Sequence, residues 1–158
     1  MMTPSTGIAL KIRELVHGDL EGVIRIDAEH TGRRNEATWK DRFDAFLPAG
    51  GPGGRVGLAA EEGDVLVGYL LGEVRAFEFG SEPCGWVFAI GVDRRSLRAG
   101  VGTALLRDAC RRFRSTGVRT VRTMVSRADV SVLSFFRSGG FVGGPFVQME
   151  IELAEVKP

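Results

Sequence analysis

The organisation of this chain follows from one segment, Trp86–Phe113, which reads WVFAIGVDRRSLRAGVGTALLRDACRRF. Its first seven residues, Trp86–Val92, are almost all apolar and rich in aromatic and β-branched side chains, which predicts a strand buried on both faces. From Val101 onward the apolar residues recur at i, i+4 spacing, which is typical of one buried helix face. The segment therefore predicts a central strand, a glycine-containing loop and a helix.

The predicted helix begins without a usual N-cap. Ser, Thr, Asp or Asn commonly accepts hydrogen bonds from the free amides of a helix start, but Leu97-Arg98-Ala99-Gly100 supplies no such acceptor. Gly100 and Gly102 let the backbone approach a bulky anion, and Arg98 adds positive charge to the positive end of the helix dipole. The pattern favours a phosphate-bearing ligand; the alternative is an ordinary turn capped by water.

The spacing narrows the kind of phosphate ligand. A dinucleotide-binding fingerprint requires a third small residue where Leu105 stands, so the pair Gly100 and Gly102 is an incomplete match. A nucleotide P-loop requires Gly-Lys-Ser or Gly-Lys-Thr, and this loop contains no Lys. Both nucleotide-binding classes are therefore disfavoured.

Composition limits the class of protein. The chain has 158 residues, which suits a single domain spanning 1–158 with a substantial core. Its formal net charge of +1 gives no indication of binding to nucleic acid or to a membrane surface. Because no apolar run is longer than a strand and the amino terminus lacks the pattern of an export signal, we expect a soluble cytoplasmic protein.

The cysteines and histidines give little support for a metal site. Cys84 falls in a predicted loop and Cys110 on a predicted buried helix face, far apart in sequence. The histidines are His17 and His30, and no Cys-x-x-Cys spacing is present. We therefore expect free thiols and no bound metal.

The remaining elements complete an α/β architecture. Strands alternating with helices in this order predict a mixed sheet with helices on both faces. Pro48–Gly54 is rich in Pro and Gly and predicts a surface loop. Periodicity predicts, besides the central segment, strands over 8–12, 56–60, 65–71, 120–125 and 146–153 and helices over 18–27, 39–47 and 129–141.

Two separated motifs resemble the GNAT superfamily of acyl-CoA-dependent N-acetyltransferases. Ile90-Gly91-Val92-Asp93 followed by Arg98–Leu106 is similar to the family's acyl-CoA signature. Asp129–Phe141 is similar to the family's closing helix, with its Gly-Phe ending. The resemblance implies an α+β fold with a mostly antiparallel, twisted sheet of about six to seven strands, and acetyl-CoA as the co-substrate.

The resemblance also implies roles for the loop and the strand before it. In the family the loop amides hold the pyrophosphate of coenzyme A, and the strand pairs through its backbone with pantetheine. The Val92 amide would then serve as an oxyanion donor, and Gly91 would suit a bulge that opens the sheet. The residues implied in coenzyme binding are Ile90, Gly91, Val92, Leu97, Arg98, Ala99, Gly100, Val101, Gly102, Thr103, Asp129, Phe135 and Phe136.

Three positions depart from the family's pattern. Phe136 stands where many members have a Tyr that protonates the leaving thiolate, so here water would do so or the thiolate would leave unassisted. Asp129 stands where an Asn often bonds the pantetheine region, and its residue type also suits an N-cap. Leu97 stands where Arg or Gln is common, with Arg98 one place later.

No base for the acceptor amine stands out in the sequence. Glu73 ends a predicted strand, and Glu78 and Glu82 lie in the predicted loop before the central strand, so each is a candidate base and equally an ordinary surface carboxylate. We expect a primary amine of a protein, a peptide or a small molecule to attack acetyl-CoA directly in a ternary complex. The protein is expected to be a monomer or a homodimer. The alternative interpretation is a non-catalytic acyl-CoA-binding or regulatory domain.

Overall fold

The computed structural model describes residues 9–48, 53–76 and 80–155. Its contacts divide the chain into two compact units, Met1–Met124 and Val125–Pro158. Within the described residues, none of the helices is long and apolar enough to cross a membrane.

The first unit is built on a sheet of five strands that lie in sequence order. The first four strands pair antiparallel with their neighbours, and the last two pair parallel. The prediction of a mixed, mostly antiparallel sheet is therefore confirmed, although the described residues form five strands rather than six or seven. The strands are β1 (Leu10–Glu14), β2 (Val56–Glu62), β3 (Val65–Arg75), β4 (Cys84–Val92) and β5 (Val121–Arg122).

The predicted last strand, 146–153, is wrong for the described part of the chain. None of the five strands pairs with this segment. Its apolar side chains are exposed, as Met149 at 86% and Leu153 at 81% show. Alternation predicts a strand only where a neighbour completes the hydrogen-bonded ladder and a core covers one face, and neither condition can be read from the pattern itself.

Helices cover both faces of the sheet, as predicted. The helices of the first unit are α1 (Leu20–Thr31), α2 (Glu36–Phe46) and α3 (Val101–Ser115). On β3, Tyr69 belongs to the apolar cluster that contains α1 and α2 residues, whereas a Cβ added at its neighbour Gly68 would meet α3 side chains. Since successive strand residues point to opposite faces, α3 lies on the face opposite to α1 and α2.

Helix α3 lies close to the sheet because glycines leave room for its side chains. A Cβ added at Gly85 would stand 2.6 Å from the ring of Phe113, and one added at Gly72 would stand 2.8 Å from it. A Cβ added at Gly68 would likewise stand 2.8 Å from the Val101 side chain. The Phe113 ring is fully buried in the space so formed. This packing places the first turn of α3 beside the end of β4.

Element boundaries differ from the sequence pattern around β3 and β4. β3 continues to Arg75 rather than ending at Leu71, because a register shift after Leu71 interrupts the alternation without ending the pairing. Cys84, predicted in a loop, is instead the buried first residue of β4, and Cys110 is half-buried; both are free thiols. The loop predicted at 48–54 lies largely outside the described residues.

The second unit contains α4 (Val130–Ser138). Its N-cap is Asp129, whose carboxylate accepts a hydrogen bond from the amide of Val132 at 3.0 Å. This geometry confirms the capping role that the residue type suggested. The Phe136 ring is buried, and its centroid lies 5.1 Å from those of both Phe135 and Phe141.

Candidate active site

Strand β4 has an open edge beyond its first residues. It pairs with β5 only at Gly85 and Trp86, whereas its pairing with β3 continues to Val92. The Thr123 hydroxyl donates to the Val87 carbonyl at 2.9 Å where the two strands separate. Beyond Val87, no strand among the described residues pairs with this edge of β4. We call this stretch, residues 88–92, the open edge.

The strand register shows which backbone groups face the open edge. The amide of Asp93 donates to the Val67 carbonyl at 2.8 Å, so these residues form a hydrogen-bonded pair between β4 and β3. Antiparallel ladders alternate bonded and non-bonded pairs, so the N–H and C=O groups of Ile90 and Val92 point away from β3. These are the groups to which the family resemblance assigns pantetheine.

Gly91 does not form the predicted bulge. The register shifts between Leu71 and Gly72, which places the extra residue of β4 at Phe88, and Gly91 pairs regularly with Tyr69. A Cβ on Gly91 would stand 2.5 Å from the Tyr69 ring, so the glycine makes room for that ring. Burial raises the pKa of Tyr69, whose phenol packs edge-on to Trp39 in the core.

The start of α3 has no side-chain cap. Its N-cap is Gly100, at φ +80°, and the first helical hydrogen bond runs from the Ala104 amide to the Gly100 carbonyl at 2.9 Å. Among the described residues, no group accepts a hydrogen bond from the amides of residues 101–103. A Cβ at Gly100 would meet nothing within 4 Å, and Arg98 is exposed nearby in the chain. Free amides, a helix N-terminus and open space together suit a bound anion.

The loop between β4 and α3 is anchored by a buried carboxylate. Asp93 is 1% exposed and accepts hydrogen bonds from the Arg95 amide at 2.9 Å and the Arg95 guanidinium at 3.0 Å. Arg25 of α1 donates to the same carboxylate at 2.7 Å and to the Leu66 carbonyl at 2.9 Å. These bonds, with that of the Arg95 side chain largest, hold the pKa of Asp93 well below its usual value despite burial.

Replacing Asp93 by Asn is expected to remove a contribution to the free energy of unfolding that is present at neutral pH and is lost in acid. Because the pKa of Asp93 is lower in the folded than in the unfolded protein, its contribution is complete above about pH 4 and is lost as the pH falls below that value. We expect Asp93→Asn to lower the free energy of unfolding at pH 7 by about 1–3 kcal/mol and to flatten its decline below pH 4.

Urea unfolding followed by circular dichroism between pH 2 and pH 7 measures this effect. Asp64→Asn is the matched control, since Asp64 is exposed in the turn between β2 and β3. If the free energy of unfolding declined below pH 4 as steeply in Asp93→Asn as in the wild type, Asp93 would not contribute to the acid sensitivity of the fold.

The candidate bases are not brought to the open edge by any observed contact. Glu73 lies within β3, and its carboxylate accepts a hydrogen bond from Arg75 at 2.6 Å. Glu82 is exposed before β4, and Glu78 lies outside the described residues. No hydrogen bond among the described residues joins Glu73 or Glu82 to Val92.

The residues implied in coenzyme binding divide between the two units. Ile90, Val92 and the loop 97–103 come together at the end of β4 and the start of α3. Asp129 and the adjacent rings of α4 belong to the second unit, where their predicted role in coenzyme binding stays a prediction.

One residue at the open edge was missed by sequence reasoning. His30, in the last turn of α1, places Nε2 at 2.7 Å from the carbonyl oxygen of Val92. Beside it, the carboxylate of Glu29 accepts a hydrogen bond from the Arg94 amide at 3.1 Å. The predicted helix ends at Asp27, whereas α1 continues to Thr31 and so includes His30. No sequence spacing reveals a contact between residues 62 positions apart.

Comparison with known proteins identifies the family. Residues 20–141 match the acetyltransferase (GNAT) family, and the chain belongs to it, as the sequence motifs predicted. The mycothiol acetyltransferase of Thermobispora bispora is 30% identical over 114 residues, a match that covers 72% of this chain. The chain spans about a third of that relative, since the match covers 35% of its length.

Solved structures share the fold at low sequence identity. An aminoglycoside N-acetyltransferase in complex with CoA aligns with a TM-score of 0.81 at 17% identity, covering 96% of this chain and 99% of the other. A transcriptional regulator from Bacillus halodurans aligns with a TM-score of 0.77 at 16% identity, covering 92% of this chain and 100% of the other. These alignments establish a common fold.

Proposed function

We propose that this protein transfers an acetyl group from acetyl-CoA to a primary amine of a protein, a peptide or a small molecule. The observation that carries the proposal is the uncapped start of α3 beside the open edge of β4. The free amides of residues 101–103 and the charge of Arg98 suit a diphosphate. The outward N–H and C=O of Ile90 and the outward N–H of Val92 suit an extended arm that contains amide groups, which would pair with them as a strand does.

The same arrangement places a donor where negative charge would develop. When an amine attacks a thioester, the carbonyl oxygen gains charge, and an oriented backbone N–H stabilises it. The Val92 N–H faces the open edge and is the proposed donor. Phe136 carries no transferable proton, so the thiolate departs as an anion or takes a proton from another source. A free thiol has a pKa of about 8.5, so departure as the anion is feasible near neutral pH.

A non-catalytic role as an acyl-CoA-binding or regulatory domain is the second candidate. Phe136 in place of the family's acid favours it, since a regulator needs no proton donor. The fold shared with a protein described as a transcriptional regulator favours it as well.

Two measurements separate these functions. Calorimetric titration with acetyl-CoA is expected to show saturable binding, and its absence would overturn both candidates. Release of free thiol from acetyl-CoA is then followed with an aminoglycoside, glucosamine, a lysine-containing peptide and a peptide with a free amino terminus. Release that depends on one of these amines supports the enzyme, whereas binding without release with any of them supports the regulatory domain.

A further inference from the structure

The ring of His30 meets the backbone of β4 at the open edge. Its Nε2 lies 2.7 Å from the carbonyl oxygen of Val92, and this carbonyl points away from β3 together with the Val92 N–H. Under the proposed function, the thioester is positioned next to that N–H. The imidazole therefore stands beside the position proposed for the thioester, at the end of β4.

The contact fixes the protonation pattern of the ring. A carbonyl oxygen only accepts hydrogen bonds, so Nε2 of His30 carries a proton. In the neutral ring, Nδ1 is then the nitrogen with a free lone pair. No described residue is a partner of Nδ1, and the side chain is exposed. Nδ1 is thus free to accept a proton.

Neighbouring contacts hold this part of α1 in place. Glu29, the residue before His30, accepts a hydrogen bond from the Arg94 amide at 3.1 Å. One turn earlier, Arg25 donates to the buried Asp93 at 2.7 Å and to Glu29 at 2.8 Å. The helix is therefore joined to the end of β4 and the following loop at several points, which gives the imidazole a defined position relative to Val92.

We propose that His30 is the general base of acetyl transfer, an inference that rests on the proposed function. The amine nitrogen forms a bond to the thioester carbonyl carbon, whose π electrons move to oxygen, and Nδ1 of His30 takes a proton from that nitrogen. The carbonyl then re-forms, the C–S bond breaks, and the thiolate takes the proton from the imidazolium or from water. The protonated ring donates a stronger, charge-assisted hydrogen bond to the Val92 carbonyl, which stabilises the intermediate.

Comparison of His30→Gln with the wild type tests this role. Glutamine retains an N–H donor for the Val92 carbonyl but has no basic nitrogen. With the amine that gives the fastest thiol release, we expect kcat/KM to fall about a hundredfold, while the Kd for acetyl-CoA by calorimetry stays within about twofold, because the amides and Arg98 are untouched. His17→Gln is the matched control, because His17 is exposed and its Nε2 lies 3.7 Å from the Asp44 carboxylate. The kcat/KM of this variant should match that of the wild type.

The pH profile adds a readout that a merely structural role would not move. The wild type should show an acid limb in kcat/KM, because a protonated Nδ1 cannot accept a proton, and His30→Gln should lack that limb. The other charged groups around His30 are unchanged in the variant, so a lost limb reports the imidazole. They are Arg25, Asp27, Glu29, Arg33 and Arg34 on or just after α1 and Asp93, Arg94 and Arg95 after β4.

The outcomes distinguish this inference from the proposed function. Amine-dependent thiol release by the wild type, with unchanged kcat/KM and acid limb in His30→Gln, would overturn the role of His30 alone. A wild type that binds acetyl-CoA but releases no thiol with any amine would overturn the proposed enzyme and the base together. Equal loss in His17→Gln and His30→Gln would also refute the assignment, since it would show a general effect of the substitution.

Discussion

Gly100→Asp is expected to weaken the binding of acetyl-CoA by about a thousandfold. The residue lies at the N-terminus of α3, where the amides of residues 101–103 are free and a Cβ would enter open space. An aspartate there would place a carboxylate where the diphosphate is proposed to bind. At a separation of about 4 Å near a protein surface, the repulsion between two such charges is about 4 kcal/mol, which corresponds to about a thousandfold in Kd.

Two further variants separate charge from backbone conformation. Gly100 has φ +80°, a region that Asn and Asp tolerate better than most residues. Gly100→Asn has nearly the same shape without the charge, so we expect a loss of less than about tenfold. Gly117→Asp introduces the same residue at φ +91° after the end of α3, also into open space, and should leave the Kd unchanged. Equal Kd values for Gly100→Asp and the wild type would exclude the diphosphate from the start of α3.

Phe113→Ala is expected to lower the free energy of unfolding by about 3–5 kcal/mol. The ring is fully buried between α3 and the sheet and fills the space above Gly72 and Gly85. Its removal leaves a cavity that the glycines cannot fill. Chemical denaturation measures the loss, and Phe146→Ala, at a ring that is 57% exposed, should lower the free energy by less than about 1 kcal/mol.

A double-mutant cycle with Gly85 tests the cause of that loss. In the wild type, Gly85→Ala should destabilise by about 1–3 kcal/mol, because its Cβ would stand 2.6 Å from the Phe113 ring. In the Phe113→Ala background the same methyl group enters the cavity, so the substitution should be neutral or stabilising. Additive effects of the two substitutions would show that the ring and the glycine are not in contact.

The strand, loop and helix of the central segment could be predicted because each depends on local periodicity. The apolar run Trp86–Val92 lies within β4, and α3 begins at Val101, where the i, i+4 pattern begins. The uncapped start of α3 was equally accessible, since a cap is a property of a few consecutive residues. These are the parts of the candidate site that depend on neighbours in sequence.

The rest depends on contacts between distant parts of the chain. The hydrogen bond of His30 to Val92 and the ion pair of Arg25 with Asp93 join α1 to β4 and its loop, and nothing in either local sequence indicates the other. Residue type alone predicts the bulge at Gly91, because a glycine suits a bulge. In the structure the bulge is at Phe88, because its position depends on the register between β3 and β4. The prediction of a strand at 146–153 is wrong for the same reason, because strand pairing depends on two segments and not on one.

The short pairing of β4 with β5 also bears on how the protein behaves in the absence of its proposed substrate. Unpaired N–H and C=O groups along a strand are a template on which another chain can add a strand, which is a common route to self-association. The outward N–H and C=O of Ile90 and the outward N–H of Val92 have this character within the described chain, whereas the Val92 carbonyl already accepts a hydrogen bond from His30. Under the proposed function, the pantetheine arm would conceal them, so acetyl-CoA would act as a shield against aggregation as well as an acetyl donor.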